Sequence, residues 1–103
     1  MFDQLKKIFG EGSDQDLASL VKDGAQVVDV RSREEFASGH LTGSINIPLP
    51  ELNRNLNKLR KDKTVIVCCA SGMRSASAKG ILQSHGFTAH NGGGWRSLEG
   101  KVK

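Results

Sequence analysis

Residues 64–75 read TVIVCCASGMRS, an apolar run that passes directly into a polar turn. The apolar part, 64–69, is rich in β-branched residues and unbroken, which is typical of a strand buried on both faces of a parallel sheet. After Gly72 the pattern over 75–85 changes to helical spacing. A buried strand followed by a helix predicts an α/β fold, in which ligands bind beyond the carboxyl ends of the strands.

The rest of the chain repeats this alternation. Further strands are predicted over residues 26–30, 44–47 and 87–90, and further helices over residues 13–24, 32–38 and 49–59. The glycine-rich residues 91–94 follow the last predicted strand. Strands that alternate with helices form a parallel sheet with helices on both faces, joined by right-handed crossovers.

The length of 103 residues fits a single domain spanning residues 1–103, and 37% hydrophobic with 25% charged residues is ordinary for a soluble protein. Residues 1–12 predict a short amphipathic helix and lead-in. No apolar run approaches the roughly 20 residues of a membrane-spanning helix. The first residues lack the apolar stretch of a secretory signal, so a cytoplasmic protein without membrane contact is expected.

The net charge of +4 lies largely in one stretch, residues 54–63. Its basic residues are Arg54, Lys58, Arg60, Lys61 and Lys63. Such a stretch indicates either a solvated helix face or a docking surface for an acidic partner. Nucleic-acid binding is not expected, because the only aromatic residues are four Phe and one Trp, and none interleaves with the basic stretch.

The two cysteines, Cys68 and Cys69, are neighbours. A disulfide between adjacent residues would be strained, and two thiols without a nearby His are too few for a structural zinc site. A reactive thiol in a reducing compartment fits this arrangement better.

The turn after Cys69 has the parts of an anion-binding cradle. A strand-to-helix junction collects backbone N–H groups and the positive end of a helix dipole, which would lower the pKa of a thiol held there. Gly72 permits a close approach of the backbone, and Arg74 adds a planar, permanently charged donor. The alternative remains that Cys69 is a small core residue at the end of a strand.

Three blocks of the sequence resemble, in order, the signatures of the rhodanese family. Residues 65–76 resemble its active-site segment, residues 28–48 (VDVR, EEF, GHL and GSINIP) its other signature, and residues 91–95 (NGGGW) its C-terminal glycine and tryptophan segment. The resemblance implies a rhodanese-like fold, with a sheet of about five mostly parallel strands between helices.

The resemblance also implies sulfurtransferase activity. The Cys69 thiolate would attack a small anionic sulfur donor such as thiosulfate, or a persulfide, and pass the sulfur as a Cys69 persulfide to cyanide or a thiol. No metal or organic cofactor is implied. Residues implied to bind the substrate are Ala70, Ser71, Gly72, Met73, Arg74 and Ser75. Within this set, the amides would hold the persulfide and Arg74 would orient the donor.

Two other functions remain open. The chain could be a persulfide carrier or binding module for a protein partner, docked through its basic stretch. A phosphatase or arsenate reductase of the related fold is the third candidate, but such enzymes place five residues between Cys and Arg, and here four separate Cys69 from Arg74.

Several further side chains receive supporting roles. Asp29 and Arg31 follow the first strand and are expected to support the site through an ion pair or hydrogen bonds. Cys68 should point away from the cradle, because side chains alternate along a strand. His40 is expected to be scaffold. The cysteine hypothesis requires amides that converge on the sulfur and a sulfur that solvent can reach.

Overall fold

The computed structural model describes residues 14–103, with side chains from residue 17 onward. The predicted helix over 1–12 and the predicted helix start at Ser13 lie outside this range. The described elements, in chain order, are α1 (Asp14–Lys22), β1 (Gln26–Asp29), α2 (Arg33–Ser38), β2 (Ile45–Asn46), two 3-10 helices (Leu49–Arg54 and Leu56–Lys58), β3 (Val65–Cys69), α3 (Met73–Ser84), β4 (Ala89–Gly94) and α4 (Trp95–Val102).

The strands form one sheet in the order β2-β1-β3-β4, and every pairing is parallel. All five residues of β3 are buried, as its apolar run predicts. The predicted α/β class is confirmed. The sheet of the described part has four strands rather than the five that the resemblance implied.

The two faces of the sheet are covered by different helices. The first cluster consists of Val28, Val30, Ile47, Leu52, Leu59, Val65, Val67, Cys69, Ala78, Leu82, Phe87 and Ala89. The second cluster consists of Leu17, Val27, Leu41, Ile66, Cys68 and Leu98. Cys69 therefore packs on the face covered by α3, and Cys68 on the face covered by α1 and α4. The predicted orientation of Cys68 is confirmed.

The prediction of a single helix over residues 49–59 is wrong. Two short 3-10 helices occupy this region, and Asn55 separates them. The Asn55 side chain donates to the Glu51 carbonyl at 2.8 Å, in competition with the backbone N–H that an α-helix would place there. The leucine spacing of three or four residues suits either kind of helix.

The last strand lies later than predicted, at Ala89–Gly94 instead of residues 87–90. Its pairing with β3 contains a bulge, since Val67 pairs with Asn91 and Cys68 with Gly93, which leaves Gly92 as the extra residue. Backbone pairing holds this glycine-rich segment in the sheet, although side-chain propensity argues against a strand there. Similarly, α3 begins two residues earlier than predicted, at Met73.

The basic stretch 54–63 is not one helix face, which corrects that interpretation. Arg60 forms an ion pair with Asp62 at 2.6 Å, and Lys61 lies 5.6 Å from the centroid of the Phe87 ring. Lys63 lies beside Gly24, just before β1 begins. These residues flank the amino ends of the strands, on the edge of the sheet opposite Cys69. Within residues 14–103, no helix combines the length and apolar character that a membrane crossing would require.

Candidate active site

The Cys69 sulfur lies inside the turn between β3 and α3. The Gly72 amide donates to Cys69 Sγ at 2.9 Å, and the Ser75 amide does so at 3.4 Å. The Ser75 hydroxyl oxygen is also 3.4 Å from the sulfur. Gly72 caps α3 with φ +105°, a left-handed conformation that a residue with a Cβ rarely adopts. The turn therefore aims two amides at a single sulfur atom and places the Ser75 hydroxyl oxygen beside it.

These contacts decide the acidity of the thiol. Burial works to raise the pKa of Cys69, but hydrogen bonds from the Ser75 hydroxyl and from nearby loop amides outweigh it, so the pKa falls below its ordinary value. At Cys68, burial and the neighbouring Asp29 carboxylate raise the pKa to about 12. Ionisation is therefore easier at Cys69 than at an ordinary thiol and strongly opposed at Cys68.

The sulfur is less open than the sequence argument requires. Cys69 is 1% exposed, so the expectation that solvent reaches it freely is wrong for this conformation. Met73, on the same turn, is 79% exposed. A donor must enter past the turn's exposed side chains, or the turn must shift.

Asn91 on β4 connects the turn to the sheet. Its Oδ1 accepts from the Ser75 hydroxyl at 2.6 Å and from the Gly93 amide at 2.8 Å, and its Nδ2 donates to the Gly72 carbonyl at 3.2 Å. Asn91 thus fixes both the hydroxyl beside the sulfur and the glycine that turns the chain. The sequence argument gave this residue no role; the signal available was a polar residue next to the glycines that follow the last predicted strand.

The close approach of β4 to the turn depends on Gly94. A Cβ at this position would lie 2.9 Å from the Ala70 carbonyl oxygen, well inside normal contact. The glycine-rich strand therefore has a specific task, which is to let the backbone of the turn rest against it. Ala70 and Ser71 remain exposed at the surface of the turn.

Arg74 does not stand free beside the sulfur. Its guanidinium donates to both carboxylate oxygens of Glu35, at 2.7 and 3.0 Å. Glu35 lies in α2, where it also accepts from the Ser32 amide at 3.0 Å as part of a capping box. Hydrogen bonds from Arg74, and then from Ser32, lower the pKa of Glu35 to about 2. The sequence argument did not anticipate Glu35 as the partner of Arg74.

Asp29 and Arg31 lie in a buried network at the end of β1. Arg31 donates to both Asp29 oxygens at 2.6 to 3.0 Å and to the Gly39 carbonyl at 2.7 Å. Its guanidinium lies 5.0 Å from the centroid of the Trp95 ring. Asn46 donates to the carbonyls of Asp29 and Arg31, both at 2.9 Å. These contacts join the ends of β1 and β2 to the chain after α2, and neither Asp29 nor Arg31 has a described contact with the Cys69 sulfur.

The other polar candidates are not gathered around Cys69. The His40 ring stacks on Phe36 at 3.7 Å between centroids, and its Nδ1 lies 2.7 Å from the Phe36 carbonyl. Trp95 is half-buried and packs against the second cluster. Residues 14–103 contain no group of three or more His, Cys, Asp or Glu side chains placed to hold a metal ion.

The difference between the two thiols predicts selective alkylation. With iodoacetamide at neutral pH, we expect modification of Cys69 and none of Cys68 in the folded protein, because only the thiolate reacts. The alkylation rate at Cys69 should rise with pH to a plateau. The pH at which this rate is half-maximal should lie below that of a free thiol. Peptide mass mapping after timed quenching, across a pH series, measures both. Equal labelling of the two cysteines in the folded protein would contradict the assignment.

Comparison with known proteins identifies relatives of this chain. A family model described as "Rhodanese-like domain" matches residues 13–100. The Bacillus subtilis protein YqhL is 40% identical over 81 residues, covering 77% of this chain and 64% of YqhL. The Escherichia coli thiosulfate sulfurtransferase PspE is 39% identical over 74 residues, covering 69% of this chain and 71% of PspE.

Solved structures give the same grouping. The human single-domain sulfurtransferase TSTD1 superimposes with a TM-score of 0.75 at 31% identity, covering 86% of this chain and 94% of TSTD1. The chain spans less than two thirds of the length of some relatives, including YqhL. The residues matched by the family model include the whole Cys69 turn.

Proposed function

The chain belongs to the rhodanese-like domain family, and on that premise we propose that it is a sulfurtransferase that carries sulfane sulfur on Cys69. The observation that carries the proposal is the convergence of the Gly72 amide, the Ser75 amide and the Ser75 hydroxyl on one sulfur atom. Relatives of the chain include thiosulfate sulfurtransferases, which supports the general activity. Donor, acceptor and mechanism are our proposal.

The proposed reaction has two displacements. The Cys69 thiolate attacks the outer sulfur of thiosulfate, the donor S–S bond breaks, and sulfite leaves with the bonding electron pair. The product is a Cys69 persulfide anion. In the second step a thiolate or cyanide attacks the outer persulfide sulfur, which releases the Cys69 thiolate together with a new persulfide or thiocyanate. A persulfide donor reacts in the same way and leaves as a thiolate.

The turn suits this chemistry because every step keeps negative charge on sulfur. Fixed amides stabilise the thiolate before the attack and the persulfide after it, with no reorganisation of solvent. The amino end of α3, a helix of 12 residues, points at the same place and adds its dipole. Once the thiol is ionised, neither displacement requires a general base. Residues Ala70 to Ser75 are thus proposed to hold the persulfide through their backbone.

A phosphatase is disfavoured by the direction of Arg74. Enzymes that bind a tetrahedral oxyanion in a Cys-to-Arg loop need the guanidinium on the anion, whereas Arg74 donates to both oxygens of Glu35. An aryl-phosphate assay beside a thiosulfate and cyanide assay separates the two activities. Both cysteines are free thiols, which agrees with the reducing, cytoplasmic setting that we propose.

Intact mass spectrometry tests the proposal directly. After exposure to thiosulfate, we expect the protein to gain one sulfur atom and to lose it on treatment with cyanide, with thiocyanate formed in equal amount. The same gain without loss to cyanide would indicate a different modification. No gain from thiosulfate, from a thiosulfonate or from a persulfide donor would refute the proposed function.

A further inference from the structure

The charge next to the sulfur is balanced by an acidic residue. Arg74 is the cation of the turn itself, and Glu35 occupies both arms of its guanidinium. The side chains are 40% and 37% exposed, so the pair sits at the surface beside the turn. Together Arg74 and Glu35 present no net charge to an approaching donor.

Neighbouring guanidinium groups are engaged as well. Arg31 is bound by the buried carboxylate of Asp29, and Arg33 of α2 is bound by Glu51 at 2.6 and 2.7 Å. Arg96 lies over the Trp95 ring, 5.3 Å from its centroid, and that ring packs on the face of the sheet opposite Cys69. The Cys69 thiolate itself is an anion. A doubly charged donor thus approaches an anion beside a guanidinium whose charge Glu35 already balances.

We propose that Glu35 is a specificity-determining residue, which by neutralising Arg74 favours sulfane donors of low charge over the thiosulfate dianion. Donors of this kind include persulfides and singly charged thiosulfonates. A persulfide has low charge because its reacting sulfur is protonated when attacked. The inference rests on the proposed function and names the donor class for the same site.

Methanethiosulfonate provides a matched probe of donor charge. It replaces one charged oxygen of thiosulfate with a methyl group and so has one negative charge instead of two. The Cys69 thiolate attacks its outer sulfur, the S–S bond breaks, and methanesulfinate leaves with the electron pair, just as sulfite leaves thiosulfate. The persulfide formed is the same from either donor, so differences in loading rate arise from the donor.

The informative variant is Glu35→Gln. Glutamine can still accept from the Ser32 amide in the capping box, so α2 keeps its first turn while Arg74 loses its counter-charge. Because Coulomb energy is proportional to donor charge, we expect kcat/KM to rise about ninefold for thiosulfate and about threefold for methanethiosulfonate at low salt. The gain should shrink as the salt concentration is raised.

Glu51→Gln is the control, because it removes one negative charge from another exposed arginine pair, Arg33 with Glu51. It should leave the ratio of the two donors unchanged. Equal factors for both donors in Glu35→Gln, a fall for thiosulfate, or the same change of ratio in Glu51→Gln would each overturn the inference. If neither donor adds sulfur to Cys69 in the unaltered protein, the proposed function fails instead, and mass spectrometry distinguishes the two results.

Discussion

The Cys69→Ser variant is expected to take up no sulfur from thiosulfate, and sulfur transfer to cyanide should fall by at least about 10³-fold. A serine hydroxyl at this position cannot ionise near neutral pH, and an oxygen cannot form the persulfide that both displacements require. The turn itself should survive, because serine is close to cysteine in size and the Gly72 amide can donate to its oxygen as it does to sulfur. Intact mass after thiosulfate, together with thiocyanate production, measures the loss.

Cys68→Ser is the matched control, with the same substitution one residue earlier. Cys68 lies in the second core cluster, on the opposite face of the sheet, and its pKa is raised to about 12. We expect this variant to gain one sulfur atom per chain as the unaltered protein does, with some loss of thermal stability because a hydroxyl enters an apolar cluster. Loss of sulfur loading in Cys68→Ser, combined with retention in Cys69→Ser, would reverse the assignment.

The part of the fold that the sequence predicts best is the part with the strongest apolar patterns. The run before Cys69 predicted β3, and the face of each cysteine followed from strand alternation. Where side chains do not determine the backbone, prediction failed. Residues 49–59 have helical leucine spacing but form two 3-10 helices, and half of β4 is glycine held by pairing with β3. The resemblance to the rhodanese family is confirmed, although it implied one strand more than residues 14–103 contain.

The candidate site was likewise predictable only in part. Its local part was predictable, since a turn from strand to helix after Cys69 brings its own amides to the sulfur. Contacts between distant segments were not, because nothing in the local sequence indicates that Glu35 meets Arg74 or that Asn91 meets Ser75. The resemblance implied that Arg74 orients the donor, and the structure pairs it with a carboxylate 39 positions earlier in the chain.

These distant contacts suggest a division of roles between the two ends of the turn. Glu35, from α2, sets the charge at its outer side, where a donor approaches. Asn91, from β4, sets the hydrogen bonds at its inner side, where the sulfur lies. In the neutral state the Ser75 proton points to Asn91, so the hydroxyl oxygen can accept from the Cys69 thiol. When the thiol ionises, the hydroxyl can turn its proton to the sulfur while Asn91 keeps the Gly93 amide.

Ser75→Ala tests the inner side. Removing the hydroxyl deletes the largest of the hydrogen bonds that lower the pKa of Cys69, while the Ser75 and Gly72 amides stay in place. We expect the second-order rate constant for sulfur loading at neutral pH to fall about 10- to 100-fold, somewhat less than the loss of a donor from an oxyanion hole. The midpoint of the alkylation profile at Cys69 should move to higher pH.

The pH profile separates the electrostatic role of Ser75 from a packing role. If the hydroxyl acts by stabilising the thiolate, part of the lost rate returns at high pH, where Cys69 ionises without its help. Ser77→Ala is the control, because Ser77 lies on the exposed side of the same helix and makes the same change in composition. A Ser75→Ala profile with an unchanged midpoint and a uniformly lower rate would contradict the role of the hydroxyl, since a group that merely fills space lowers the rate equally at every pH.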